Sequence, residues 1–254
     1  MTSLLLSQAD YVRTPRALET GRNIVERKIE NCRLLLSRYQ TSTRRGDATK
    51  ADLINDIKLD IEAVREKVAE TKNIEELLLL EARAANYYYQ GIALVSKQFS
   101  WTRKRHGDSD LFNLLLNIGY HLLTLECEKA LLEAGLYLEA GFVHGPSSGK
   151  PLLYDFVEVF RQPCVDRIIL PLFSRKNALP AGDKGKAQFL KRFQSCLATQ
   201  FWYKNRCETM RRIFLLEAYE LKRLILDQKV YVPYKHRWGN SSPCNKKASP
   251  RGNA

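Results

Sequence analysis

Four side chains of this 254-residue chain have the types and spacing that a divalent metal requires. His144 sits in a short glycine-bounded turn, Gly141-Phe142-Val143-His144-Gly145, and Asp155 and Glu158 follow within Tyr154-Asp155-Phe156-Val157-Glu158-Val159-Phe160-Arg161. Two carboxylates three residues apart share one face of a helix, and here their neighbours are aromatic or β-branched, so that face is not simply wet. Glu81 lies inside Leu77-Leu78-Leu79-Leu80-Glu81-Ala82-Arg83-Ala84-Ala85, where a charge is not buried without a partner. A metal ion would be such a partner. Oxygen donors suit Mg2+ or Mn2+, and a single imidazole tilts the set toward manganese. Zinc prefers several His or Cys ligands, and the six cysteines are scattered without a CxxC pair.

The elements that must position these groups read as helices. Apolar residues at 18, 24, 25, 29, 32, 35 and 36 give a helical period from Ala17 to Tyr39, broken at Arg44-Arg45-Gly46-Asp47. A second helix is expected from about Lys50 to Glu70, and a third carries Glu81 through to about Gln98. Leu111 to Ala134 is the most apolar stretch, with Gly135 as its C-terminal glycine. Asp155 to about Arg175 is helical again, bent near Pro163 and Pro171. Leu190 to Asp227 reads as one or two long basic helices, and Lys229 to Tyr234 as the one candidate strand. The expected architecture is all-α: a lead-in over residues 1–14, a helical domain over 15–239 and a basic tail of disordered composition over 240–254.

The formal net charge of +13 is localised. Residues 1–171 hold 23 Lys+Arg and 23 Asp+Glu, whereas residues 172–254 hold 18 and 5, which is 18 − 5 = +13, the entire excess. A basic half of this kind is the footprint of a polyanion binder. A metal among carboxylates in such a protein points to chemistry on nucleic acid. No apolar run approaches a membrane span and no signal peptide opens the chain, so it reads as cytoplasmic with reduced thiols. His121 reads as a packing residue, and His106 and His236 as phosphate contacts beside Arg105 and Arg237. The absence of a glycine-rich phosphate loop and of a GxSxG elbow excludes nucleotide-driven and serine-hydrolase chemistry.

At these residues the chain resembles the CRISPR-associated integrase and endonuclease family that inserts new spacers during adaptation. The matching stretches are Glu81-Ala82-Arg83-Ala84-Ala85-Asn86-Tyr87-Tyr88, Asp110 to Tyr120, Gly141-Phe142-Val143-His144, and Asp155 to Arg161 followed by Asp166. Arg22 to Asn31 is similar to the first helix of that family's catalytic lobe. Together they cover roughly residues 15–235 in the family's order.

The resemblance implies a metal held by Glu81, His144 and Glu158, with Asp155 supporting them or positioning DNA. It implies strand transfer by transesterification, in which the 3′-hydroxyl of a short donor DNA attacks the CRISPR repeat, giving adaptive immunity against foreign DNA. It also implies a homodimer or higher oligomer and docking of a small ferredoxin-like adaptation subunit. Family members begin with a β-rich domain that builds the dimer. Only about fifteen residues precede the matching lobe here, which reads as a minimal or truncated form or as a lobe encoded elsewhere. DNA contact is assigned to Arg83, to the connector Arg103-Lys104-Arg105, and to Arg211, Arg212, Lys222 and Arg223. The competing readings are a stand-alone structure-selective nuclease or transposon-type integrase of the same lineage, and a non-catalytic DNA-binding scaffold.

Overall fold

The computed structural model describes residues 2–96, 103, 110–174, 183–227, 229–238 and 244. Among these, α-helices carry almost all of the regular structure, as the periodicity predicts. α1 (Thr2–Tyr11) leads into α2 (Pro15–Arg44), whose Pro15 occupies the first turn, where its missing N–H costs nothing. α3 (Ala48–Glu66) starts at Asp47, whose side chain accepts from Lys50 N at 3.0 Å. α4 (Ile74–Val95) starts at Asn73, which accepts from Glu76 N at 2.8 Å while Glu76 accepts from Lys72 N at 2.7 Å. α2, α3 and α4 pack on one another around Leu35, Leu36, Ile54, Ile61 and Leu77, all fully buried.

α5 (Leu111–Glu133) is capped by Asp110 and ends at Gly135, whose φ of +80° is open to glycine and strained for other residues. Leu136 N donates to Leu131 O and Gly135 N to Leu132 O, closing the last turn with paired reverse hydrogen bonds. α6 (Pro151–Glu158) is followed by a π-helical turn over Gln162–Asp166, containing Pro163, and then by α7 (Arg167–Ser174). The expected bend near Pro163 is thus a local widening of the helix.

The stretch from Leu190 to Asp227 is not continuous helix. α8 (Asp183–Ala198) stops, and β1 (Gln200–Tyr203) pairs antiparallel with β2 (Arg206–Thr209) before α9 (Met210–Asp227) begins. The Phe201-Trp202-Tyr203 run favours a pleated backbone, and Lys204-Asn205 makes the two-residue turn. Residues 229–234 form no strand. They belong to an irregular strap over 229–238 that returns across α2 and α9, with Asn23 Nδ2 donating to Tyr231 O at 3.1 Å and Tyr234 N donating to Glu217 at 2.8 Å.

The cysteines also depart from the all-reduced expectation. Cys207 and Cys244 form a disulfide that fastens the chain beyond the strap to the hairpin, while Cys32, Cys127, Cys164 and Cys196 are buried free thiols. Scattered spacing reveals no pairing, because the partners meet only through the fold. No helix among the described residues is long and apolar enough to cross a membrane.

Candidate functional site

Glu81 projects from α4 toward α2, where it meets Lys28. Lys28 lies on the same helical stripe as Ile24, Val25 and Cys32 and is only 8% exposed. Its ammonium donates to Glu81 Oε1 and stands 2.6 Å from Glu158 Oε2 at the end of α6. Glu158 Oε1 is also paired with Arg161 at 3.0 Å. Burial opposes the charge on both partners, but it is outweighed: Arg161 and Lys28 hold the Glu158 carboxyl below its usual range, and Glu158 and Glu81 hold the Lys28 ammonium above its own.

His144 lies on the loop before α6, within the electrostatic influence of Glu158 and Glu81. Asp155, fully buried, holds that loop in place. One of its oxygens accepts from Phe142 N at 2.5 Å and Val143 N at 3.0 Å, and the other from His144 N at 3.0 Å. The second oxygen also lies 2.7 Å from His144 Nδ1. Gly141 permits this approach, since a Cβ there would meet Pro151 and Leu152 backbone atoms at 2.6 and 2.7 Å. With Nδ1 engaged by a carboxylate, His144 keeps Nε2 as its open ligand atom. Burial lowers the imidazole pKa, but the Asp155 hydrogen bond and the charges of Asp155, Glu158 and Glu81 outweigh it and leave it raised.

The donors and the charge balance decide whether a divalent cation fits here. Among the described residues, no three His, Cys, Asp or Glu side chains form a ready-made metal cage. Glu81 and Glu158 instead converge on one ammonium, so a cation already occupies the point between them. Glu158 Oε2 is buried, and its partner is the Lys28 ammonium 2.6 Å away. Two buried carboxylates around a positive charge and an imidazole with an open nitrogen make a donor set suited to Mg2+ or Mn2+.

A cavity of about 350 Å³ opens beside this cluster, lined by Lys28, Tyr88, Arg103, Tyr120 and Arg161 among others. At its rear Asp166 accepts from Tyr88 Oη and Tyr120 Oη, both at 2.6 Å, and burial pushes its carboxyl up to about 6 despite those bonds. Arg103 donates to Asn113 and Asn117 and lies over the Tyr120 ring, and Arg161 lies over the same ring. The sequence reading gave no role to Lys28, Arg161 or Asp166. Lys28 carried the signal that singled out Glu81, a charge on an apolar stripe.

The other assigned residues are dispersed. Arg83 is exposed on α4 beside Tyr87. Arg211 and Arg212 are exposed at the start of α9, Arg211 pairing with Glu126 at 3.0 Å, and Arg223 is exposed beside Glu220. Lys222 donates to Ala134 O at the end of α5, a helix-capping contact. Lys104, Arg105 and His106 lie outside the described residues.

Two histidine readings are corrected. His121 is exposed on α5, and His236 is buried among Phe201, Tyr234 and Trp238. Burial, aided by Arg167 and Arg38, drives the His236 pKa down to about 3, so this neutral side chain makes no phosphate contact. Its neighbour Arg237 suggested a wet surface, whereas alternation along the strap turns one residue out and the next in.

A family described as CRISPR associated protein Cas1 matches residues 2–192. CRISPR-associated endonuclease Cas1 1 of Methanospirillum hungatei JF-1 is 30% identical over 236 residues, covering 87% of this chain and 69% of the relative. A casposase bound to its integration product superposes with a TM-score of 0.75 at 23% identity, over 89% of this chain and 69% of that one. A Cas6-RT-Cas1–Cas2 complex contains a chain that superposes with a TM-score of 0.74 at 20% identity, over 88% of this chain and 25% of that one.

Proposed function

The chain belongs to the CRISPR-associated Cas1 family, and from that premise we propose that it is a metal-dependent DNA integrase that joins short donor DNA to a CRISPR repeat by transesterification. The observation that carries this reading is the buried meeting of Glu81 and Glu158 across Lys28. Glu81, Glu158 and His144 Nε2 would hold Mg2+ or Mn2+, which lowers the pKa of an attacking hydroxyl and offsets charge on phosphorus.

The chain's own residues prepare the site. Asp155 fixes the loop and turns His144 so that Nε2 is open. Arg161 and Arg103 line the adjoining cavity and supply positive charge where a phosphodiester would lie. In the joining step the donor 3′-oxygen forms a bond to phosphorus as the target strand's 3′-oxygen leaves. One hydroxyl proton is lost and one gained, and the number of phosphodiester bonds is unchanged, so no nucleoside triphosphate is needed. With water as nucleophile the same residues would serve a nuclease.

DNA is the partner to which the basic half corresponds. Joining both donor ends calls for two active sites, hence a homodimer or larger assembly. The likeness to a chain in a complex named for Cas1 and Cas2 supports docking of a small adaptation subunit.

The test is manganese-dependent strand transfer by the purified chain, assayed on a labelled donor and a repeat-containing duplex. Glu81→Ala, His144→Ala and Glu158→Ala should each abolish branched product while DNA binding persists. Cleavage without joining would favour the stand-alone nuclease. Full DNA binding in chelator, with neither product at any metal concentration, would favour the scaffold.

A further inference from the structure

The strap and the hairpin turn enclose a second region remote in chemistry from the carboxylates. A cavity of about 590 Å³ is lined by Trp202, Trp238, Lys235 and Arg237 among others. A neighbouring cavity of about 670 Å³ is lined by Arg206, Arg212, Tyr219 and Arg223 among others. Tyr203 and Lys204 line both, so the two cavities adjoin at the hairpin turn and make a two-part trough. Arg206 and Lys235 are paired with Glu208 and Glu30, and the walls carry six Lys or Arg side chains and two carboxylates. Of those, Glu217 is buried under Tyr203, Tyr231 and Tyr234, and Glu220 is paired with Lys204 and Arg223.

Both indoles are held at the surface. Trp238 Nε1 is 3.4 Å from Asn31 Oδ1, and its ring packs edge-on against His236. Trp202 is half-buried on β1, and the Arg237 guanidinium lies 4.8 Å from its ring centre. A guanidinium stacked on an indole offers a flat, charged face on which a nucleobase can itself stack. Between the two cavities Lys204 has a φ of +51°, a left-handed backbone that costs a residue with a Cβ. Glycine or asparagine would fill that turn with less strain, and the lysine places a cation where the cavities join.

We propose that this trough is a binding site for single-stranded nucleic acid, in which Trp202 and Arg237 stack bases and Lys204, Arg206, Arg212 and Arg223 follow the phosphates. The pairing of aromatic platforms with a basic groove is what an unpaired strand requires. Bases inside a duplex are stacked on each other and leave the indole no free face. The proposal rests on the DNA-joining reading only for the origin of the strand, an unpaired end or displaced segment of a DNA substrate. The strap's anchors on α2 and α9 hold the trough rigid, which limits the ordering cost of binding.

The test is fluorescence anisotropy of a labelled 12-nucleotide oligothymidylate bound to the intact protein in chelator, so that catalysis plays no part. Trp202→Ala should weaken binding on the order of 10- to 100-fold, the usual loss for one stacked base. Trp202→Phe should keep most of the affinity, and a blunt 12-base-pair duplex should bind both variants within about 2-fold of the parent. An abasic strand of equal length should not distinguish Trp202→Ala from the parent. Lys204→Gly should lower affinity and flatten the salt dependence by about 0.7 in logarithmic slope while melting no lower than the parent.

A purely structural Lys204 would raise stability on the glycine change and leave binding alone. Unchanged oligothymidylate affinity in both Trp202→Ala and Lys204→Gly would overturn the proposal. So would equal losses for strand and duplex, or displacement by polyglutamate as effective as by unlabelled strand. Strand binding is read in chelator and joining in manganese, so a failed joining assay and a failed trough are separate results.

Discussion

Lys28 offers a test of the metal reading that does not depend on catalysis. Lys28→Met removes the cation between Glu81 and Glu158 and keeps most of the side-chain volume. Both carboxylates touch the same nitrogen, so their facing oxygens lie within about 5 Å of each other. At an effective dielectric constant of about 20, two unit charges at that separation repel by about 3 kcal/mol. Removing one partner of a buried ion pair typically costs about 3–5 kcal/mol, and Arg161 still neutralises part of Glu158, which places this case near the lower figure. For a chain of this size about 3 kcal/mol corresponds to a fall in melting temperature of about 6–12 °C.

A divalent ion held by the same carboxylates replaces the missing charge. Thermal melts of Lys28→Met in chelator and in millimolar manganese should therefore differ by several degrees more than the parent's two melts do. Lys28→Met combined with Glu81→Gln should recover much of the stability in chelator and lose the manganese response. The reasoning fails if Lys28→Met melts with the parent in chelator, or if manganese shifts the single and double variants equally.

Three further outcomes follow. Asp155→Ala should cost about 2–4 kcal/mol, because it strands the backbone N–H groups of Phe142, Val143 and His144, while Asp155→Asn should cost less in denaturant melts and still lower joining activity. Burial raises the Glu217 carboxyl to about 7 against the hydrogen bonds of Tyr203, Tyr231 and Tyr234; the folded state then holds the proton more tightly, so the associated stability is complete below about pH 4.5 and lost as pH rises through 7. Glu217→Gln should remove about 3 kcal/mol of that pH dependence in melts between pH 5 and 8. Reducing the Cys207–Cys244 disulfide, which spans 37 residues, should lower stability by about 4 kcal/mol on chain-entropy grounds, with Cys207→Ser melting like the reduced parent.

The helices were legible because burial enforces a 3.6-residue period over long stretches, and Asp47, Asn73, Asp110 and Gly135 mark ends that backbone hydrogen bonding requires. The hairpin was missed because two four-residue strands are too short to establish an alternation, although three aromatics before Lys204-Asn205 hinted at it. The disulfide was hidden for a different reason: a sequence separation carries no information about which cysteines a strap returns to. His121 and His236 were misread together, since neighbouring residue types record composition and not which way a side chain turns.

Charge on an apolar stripe was the most productive signal for the site, yet it does not by itself separate function from structure. Glu217 satisfies it as fully as Glu81 does, lying buried on α9 between Phe214 and Leu221. The difference is in the partners. Glu217 is surrounded by neutral donors from the hairpin and strap, every one of them geometrically satisfied, and it is pushed toward the protonated state. Lys28 and Arg161 hold the Glu158 carboxyl below its usual range, and Glu81 shares the same ammonium. A network built only for stability would settle into the first arrangement, because a neutral hydrogen-bonded carboxyl costs less to bury than two ions. Holding charged groups together at one point has physical sense where another charge is to be received, which supports the proposed metal site at the α2–α4–α6 junction, whereas the α9 network serves the fold.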